Sequence, residues 1–200
     1  MLNIFLCRHG QNVDNLDNIL NGHRDKPLTE LGKKQARELA QKIQSSNLCF
    51  DYIYSSPLDR ALETAKIVTS TINGPEPIIE PLLIERDFGI MTGKNKDDIE
   101  SLCSPNIFKT KNITYFLDPE GAETFPVLIE RAGTLLKKIV SEHKTGDILL
   151  VCHGDIGMMI YANYFNLDWK TALSKIYFGN CDLLLLSDSS SADKPFYLFK

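Results

Sequence analysis

The residues best suited to chemistry in this chain stand at the ends of apolar runs. Leu2-Asn3-Ile4-Phe5-Leu6-Cys7 stops at Arg8-His9-Gly10, and Asp147-Ile148-Leu149-Leu150-Val151-Cys152 stops at His153-Gly154. A short apolar run bounded in this way reads as a buried strand giving out into a loop. In an open α/β sheet, ligands collect at the carboxyl ends of the strands. If the two strands are neighbours, His9 and His153 face one crevice, with the Arg8 guanidinium beside them. Arg60 adds a second guanidinium in the first turn of a helix that follows a strand, where the helix N-terminus already favours an anion. Planar arginine forks match phosphate oxygens, and an imidazole is a nucleophile toward phosphorus. The constellation suits metal-independent phosphoryl transfer, with a phosphatase as the first reading. Taken singly, His9 reads as a hydrogen-bonded structural histidine and Arg60 as a solvated helix arginine; only their joint placement points to catalysis.

The elements that must position these groups alternate. After Gly10 a polar stretch through residue 26 reads as a loop with a short helix. Thr29 is the expected N-cap of a helix over Glu30–Ser45, whose Ala36, Leu39, Ala40 and Ile43 make an apolar stripe. Residues 50–54 form a short strand. Ser56 is then the expected N-cap, Pro57 the first helical residue and Asp59 the return partner of a capping box, with Leu58, Leu62, Ala65, Val68 and Ile72 as the buried stripe. Ile78-Ile79-Glu80 is a short strand, and residues 82–89 read as another strand end running through Glu85-Arg86-Asp87 into Phe88-Gly89. Residues 94–122 lose all period and read as an irregular, lid-like insertion with one short helix near 96–102. A helix over 123–142 is marked by Leu128, Ala132, Leu135 and Ile139, and another follows His153 over 155–165. Residues 175–178 and 182–187 read as a hairpin turning at Gly179-Asn180, and a polar turn at 189–193 precedes a last edge strand at 196–199. Strands alternating with helices predict a three-layer α/β sandwich with a mostly parallel central sheet and helices on both faces.

Composition narrows the partners. Two hundred residues fit a single domain, and a net charge of −4 without basic runs argues against nucleic-acid and anionic-membrane binding. The N-terminus has no basic region or long apolar run, so the expectation is a cytosolic protein without a signal peptide or membrane span. Five cysteines, none in a CxxC pair, argue against a disulfide framework or zinc site. Cys7, Cys49, Cys152 and Cys181 read as buried structural thiols. No spacing of histidines and carboxylates argues for a metal, and no cofactor is implied. His143, near a helix end, is read as dipole chemistry; His23, in the loop after the first motif, as a surface or substrate contact.

In family order, Arg8-His9-Gly10, Asn15, the stretch from Gly22 to Gly32, Arg60 within Ser56-Pro57-Leu58-Asp59-Arg60-Ala61-Leu62-Glu63-Thr64-Ala65, Glu85 before Phe88-Gly89, and His153-Gly154 resemble the histidine phosphatase superfamily, which includes the cofactor-dependent phosphoglycerate mutases. The resemblance runs from Arg8 to Gly154, most of the chain. It implies that His9 is the nucleophile that becomes a phosphohistidine and Glu85 the general acid that protonates the leaving oxygen and then takes a proton from water. The second ring nitrogen of His9 would donate to a backbone carbonyl near Gly10. Arg8, Arg60 and a protonated His153 would hold the phosphoryl oxygens, with Asn15, Gly22 and the close backbone of Gly154 around them. Glu85 would sit desolvated among cations, two influences that push its pKa in opposite directions.

Two departures bear on the reaction. Gln11-Asn12 stands where the family often has Glu-Thr or Glu-Ser, removing a small hydroxyl. Asp155 stands where mutases resemble one another in carrying Asn, and its carboxylate must point away from the phosphate or cap the next helix. The short lid favours a phosphatase acting on a small phosphorylated metabolite. A mutase of the same chemistry and a non-catalytic phosphate-binding module are the alternatives. Arg86 hints at recognition of a second acidic group. Lys109, Lys111, Tyr115 and Phe116 of the lid read mainly as a solvated loop with aromatic anchors, and the C-terminal edge strand leaves room for a homodimer.

Overall fold

A computed structural model describes residues 1–192 and 195–200. Strand β1 (Leu2–Arg8) leads through a one-turn helix α1 (Val13–Leu16) to α2 (Glu30–Ser45). Then come β2 (Tyr52–Ser55), α3 (Asp59–Ile72) and β3 (Ile78–Ile79). A short helix α4 (Ile99–Cys103) and the strands β4 (Ile107–Lys109) and β5 (Thr114–Phe116) fill the middle of the chain. The last part holds α5 (Phe125–Glu142), β6 (Gly146–Cys152), α6 (Gly154–Tyr164), α7 (Trp169–Lys175), β7 (Leu183–Leu186) and β8 (Tyr197–Phe199).

The main sheet runs β3-β2-β6-β1-β7-β8. The first four strands in that order are parallel, and β7 and β8 are added antiparallel. The two histidine strands are direct neighbours, with Arg8 opposite Cys152. Successive side chains of a strand point to opposite faces. Ile4, Leu6, Ile148 and Leu150 therefore pack with α5, α6 and α7, while Phe5, Cys7, Leu149 and Val151 pack with α2 and α3. This is the three-layer arrangement with helices on both faces. At the apolar stripe of α2, Ala36, Leu39, Ala40 and Ile43 are all buried, and Thr29 Oγ1 caps the helix by accepting from the Gly32 amide at 3.0 Å.

Several local expectations are corrected. Helix α3 begins at Asp59 with Leu58 as N-cap and no side-chain cap. Ser56 is drawn away to His153, and Asp25 Oδ2 accepts from the Asp59 amide instead. The buried face of α3 is Ala61, Ala65 and Val68 with Arg60 and Thr64, so Arg60 is a core residue. Residues 82–89 are no strand: Pro81–Leu83 is a 3-10 turn, started by proline and capped by Glu80. The proposed hairpin at 175–187 is absent; 169–175 is helical, and β7 pairs with the distant β1, Ile4 opposite Leu186. The insertion holds a small hairpin, β4 against β5, beside α4. Cys49 is exposed, unlike Cys7, Cys152 and Cys181. The polar turn read at 189–193 runs past the described residues. Among those described, no helix is long and apolar enough to cross a membrane.

Candidate active site

His9 leaves β1 at the sheet's carboxyl edge and is almost wholly buried. Its Nδ1 lies 2.7 Å from the Gly10 carbonyl. A carbonyl only accepts, so Nδ1 carries the hydrogen and the Nε2 lone pair is left for reaction. Burial, with the Arg60 and Arg8 cations nearby, holds His9 well below the ordinary imidazole value, so the ring is neutral at pH 7. Gly10 is required by packing: a Cβ there would stand 2.4 Å from the Gly32 carbonyl oxygen at the start of α2. Arg8 donates through one terminal nitrogen to the Phe178 carbonyl at 2.8 Å. Its Nε is a buried donor without a hydrogen-bond partner among the described residues, which suits an anion.

His153 ends β6, and its ring centroid is 5.1 Å from that of His9. Arg60 Nε donates to His153 Nδ1 at 3.2 Å, so the ring hydrogen is on Nε2, which lies 2.7 Å from Ser56 Oγ. Both nitrogens are thus engaged. Burial and the Arg60, His9 and Arg8 groups hold His153 well below the ordinary value, and it stands as a neutral ring instead of the protonated donor the sequence suggests. Arg60 is fully buried, and its terminal nitrogens donate to the carbonyls of Arg24 at 2.8 Å and Gly22 at 2.9 Å. Its fork ties the 22–24 loop to His153. Gly22 serves through its carbonyl, which faces a guanidinium and is no anion contact.

Glu85 is buried at the N-terminus of α6. Its Oε1 accepts from the Arg86 and Ile156 amides at 2.9 and 3.1 Å, and its Oε2 from the Asp155 amide at 3.3 Å. Those bonds and Arg60 favour the carboxylate, but burial and the neighbouring Asp155 outweigh them, and the pKa is raised. Oε2 carries the longer contact. A Cβ on Gly154 would stand 3.7 Å from that oxygen and 3.8 Å from Arg8 Cζ, so the glycine keeps open the gap between acid and cation. His23 Nε2 lies 2.8 Å from the Glu85 carbonyl and supports the loop. Asp155 turns to Arg86, Oδ2 to Nε at 2.7 Å.

These groups meet at a cavity of about 710 Å³. Arg8, His9, Asn15, Arg60, Glu85 and Gly154 line it, and Arg86 and Asp155 join its wall; His153 and Gly22 stand behind the lining. Asn12, which replaces the small hydroxyl, is buried as the cap of α1 and bonded to Asn21 and the Lys26 carbonyl. The insertion closes one side: Lys96, Tyr115 and Phe116 line the cavity, while Lys109 is exposed and paired to Glu100. Tyr115 and Phe116 are therefore cavity wall as well as anchors. Among the described residues, no group of three or more His, Cys, Asp or Glu is arranged to hold a metal ion.

The pattern of the histidine phosphatase superfamily (branch 1) matches residues 4–191. The chain belongs to this superfamily. A 2,3-bisphosphoglycerate-dependent phosphoglycerate mutase from Parvibaculum lavamentivorans is 36% identical over 156 residues, 76% of this chain and 74% of the relative. A second, from Methylobacterium sp., is 30% identical over the same shares but one, 75% of the relative. Two solved phosphatases share the fold. A phosphoserine phosphatase from Entamoeba histolytica superposes with a TM-score of 0.77 at 24% identity, covering 99% of this chain and 95% of that one. A mycobacterial glucosyl-3-phosphoglycerate phosphatase gives 0.77 at 21%, covering 92% and 89%.

Within this superfamily member, one contact escaped the motifs. Asn180 donates to the His9 carbonyl at 2.8 Å and to Asn15 Oδ1 at 3.3 Å, steadying both cavity residues. In sequence, Gly179-Asn180 carries only a turn signal, and nothing local marks its approach to β1. His143, read as helix-end chemistry, bonds to the Tyr54 hydroxyl at 2.8 Å and is not among the residues lining the cavity.

Proposed function

We propose that the protein is a phosphomonoesterase that hydrolyses a small phosphorylated metabolite through a phosphohistidine on His9, without a metal ion. The observation that carries this reading is the state of His9: neutral, with Nδ1 tied to the Gly10 carbonyl and Nε2 left for attack inside a lined cavity. Nε2 attacks phosphorus in line; the N–P bond forms as the ester O–P bond breaks. The unspent Arg8 donor stabilises the transferring oxygens. Glu85, whose raised pKa favours its protonated form, gives its hydrogen to the leaving oxygen and recovers one from the water that hydrolyses phospho-His9.

The test is hydrolysis of p-nitrophenyl phosphate in excess chelator, parent against His9→Ala. Chelator-resistant release lost in the variant supports the reading; chelator-sensitive release, or activity surviving the substitution, overturns it. The 36% identity to a phosphoglycerate mutase favours a second reading, isomerisation of a phosphoglycerate by the same phosphohistidine. Conversion of 3-phosphoglycerate to its isomer without phosphate release would select it.

A further inference from the structure

Four cations line the cavity, but they are not equally available to a substrate. Arg60 is bonded to two carbonyls and to His153. Arg86 is held by a carboxylate and by aromatic rings. Its Nε donates to Asp155 at 2.7 Å, and its NH1 reaches the Phe116 and Glu123 carbonyls at 3.4 and 3.3 Å. The rings of Phe88, Phe116 and Phe125 surround it, with centroids 4.9, 4.2 and 4.4 Å from Cζ. Arg8 and Lys96 remain, the first beside His9 and the second on the insertion. On the same walls stand the carboxylates Asp97, Glu100 and Asp155. Leu20, Ile99, Ile113, Tyr115 and Met158 share the remaining surface with glutamine and asparagine side chains. The cavity can therefore satisfy one phosphoryl dianion. Lys96 is itself faced by Asp14, Asp155 and Asp97, so a second anionic group would meet carboxylates, a cation already offset by them, amide side chains and apolar surface.

We propose that Asp155 is a specificity-determining residue: by holding Arg86 against the wall it withdraws that cation from the substrate and limits the site to phosphomonoesters whose alcohol portion carries no second anionic group. The inference rests on the hydrolytic reading above and names the substrate class of that site. It replaces the expectation that Arg86 recognises a second acidic group. Asp155 occupies the position directly after Gly154, so its carboxylate is fixed at the rim of the reaction centre by the first turn of α6. A like charge brought beside it is disfavoured, which is exclusion by repulsion.

Glycerol 3-phosphate and 3-phosphoglycerate make a matched pair, differing only in a hydroxymethyl against a carboxylate. The parent should favour glycerol 3-phosphate in kcat/KM by about tenfold or more. Asp155→Asn frees Arg86 and removes the repelling charge, and the ratio should move toward 3-phosphoglycerate by about tenfold. Adding Arg86→Gln to that variant should cancel the gain. Altered acidity of Glu85 or partial loss of fold acts on both esters alike, so the ratio isolates the charge effect. A parent that prefers the carboxylate ester, or an Asp155→Asn ratio equal to the parent's, overturns the inference. If p-nitrophenyl phosphate is cleaved and neither ester is, their inhibition constants give the same ratio. If no phosphoester is cleaved, the hydrolytic reading fails by itself, and calorimetric binding of the pair to the parent still decides the preference. Should Asp155→Asn fail to fold, the parent's own ratio remains decisive.

Discussion

The ends of β1 and β6 are near copies in sequence, each an apolar strand closing in a cysteine and then His-Gly, with Arg8 inserted in the first. They lie side by side in parallel, and the two rings are 5.1 Å apart. Their uses differ. His9 gives one nitrogen to its own neighbour's carbonyl and keeps the other toward the cavity, whereas His153 has both nitrogens bonded, to Ser56 and Arg60, and stands behind the lining. On the proposed mechanism, what separates the nucleophile from its support is therefore which partners reach each ring from the β2–α3 region, and not the motif itself. His153 holds Arg60, Arg60 holds the 22–24 loop, and Nε2 of His9 is the nitrogen proposed to react.

The largest expected effect tests that division. His9→Gln should remove at least about 10⁴-fold of kcat, since no other group offers a comparable nucleophile. His153→Gln keeps hydrogen-bonding capacity for Ser56 and Arg60 and should cost about 10²-fold, roughly the loss from one misplaced stabilising group. Equal losses would mean that His153 moves onto the phosphate during the reaction, and the contrast between the rings would fall. Next in size is Glu85→Gln. Its loss should approach about 10³-fold on an alkyl phosphate, whose leaving oxygen needs a proton, and be far smaller on p-nitrophenyl phosphate, whose phenolate leaves unaided. On the proposed mechanism the acid form of Glu85 is the active one, so kcat/KM on the alkyl ester should fall as pH rises through its elevated pKa; an alkaline limb of the same position in Glu85→Gln would assign it elsewhere.

Smaller effects concern stability. Both imidazoles are held neutral in the folded protein, with pKa values depressed by burial first. The stability this contributes is complete above the unfolded value of about 6.5 and is lost as pH falls from there toward the folded values, by up to about 1.4 kcal/mol per pH unit for each ring. Thermal midpoints should drop between about pH 6.5 and pH 5, and His153→Gln should flatten that slope. Ser56→Ala would leave the buried Nε2–H of His153 unpaired at a cost of about 1–3 kcal/mol, measurable as a lower denaturant midpoint. His9, bonded to a backbone carbonyl, has no side-chain partner whose removal does the same.

Much of this was legible in the chain. The stripes of α2 and α5 are visible because a helix packing on a sheet must repeat its apolar residues every three or four positions, and those positions are buried. The strand ends at Arg8-His9-Gly10 and His153-Gly154 are visible for the same reason, as apolar runs that stop. Pairing was harder to see. β7 read as half of a hairpin because Gly179-Asn180 is a turn signal, yet its hydrogen bonds go to a strand more than 170 residues earlier, Ile4 opposite Leu186. Ser56 read as a helix cap because its type and place suit one, and a histidine brought from 97 residues away took its hydroxyl instead.

By itself the sequence determined the layers of the fold, through apolar periodicity, and the family and its site residues, through motifs that resemble that family in order. Only the tertiary structure decided their states: His9 with a free nitrogen, His153 engaged at both, Glu85 pushed toward its acid form, and Arg86 held by Asp155. Protonation and hydrogen bonding depend on burial and on partners set by packing, and neither is written in the spacing of a chain.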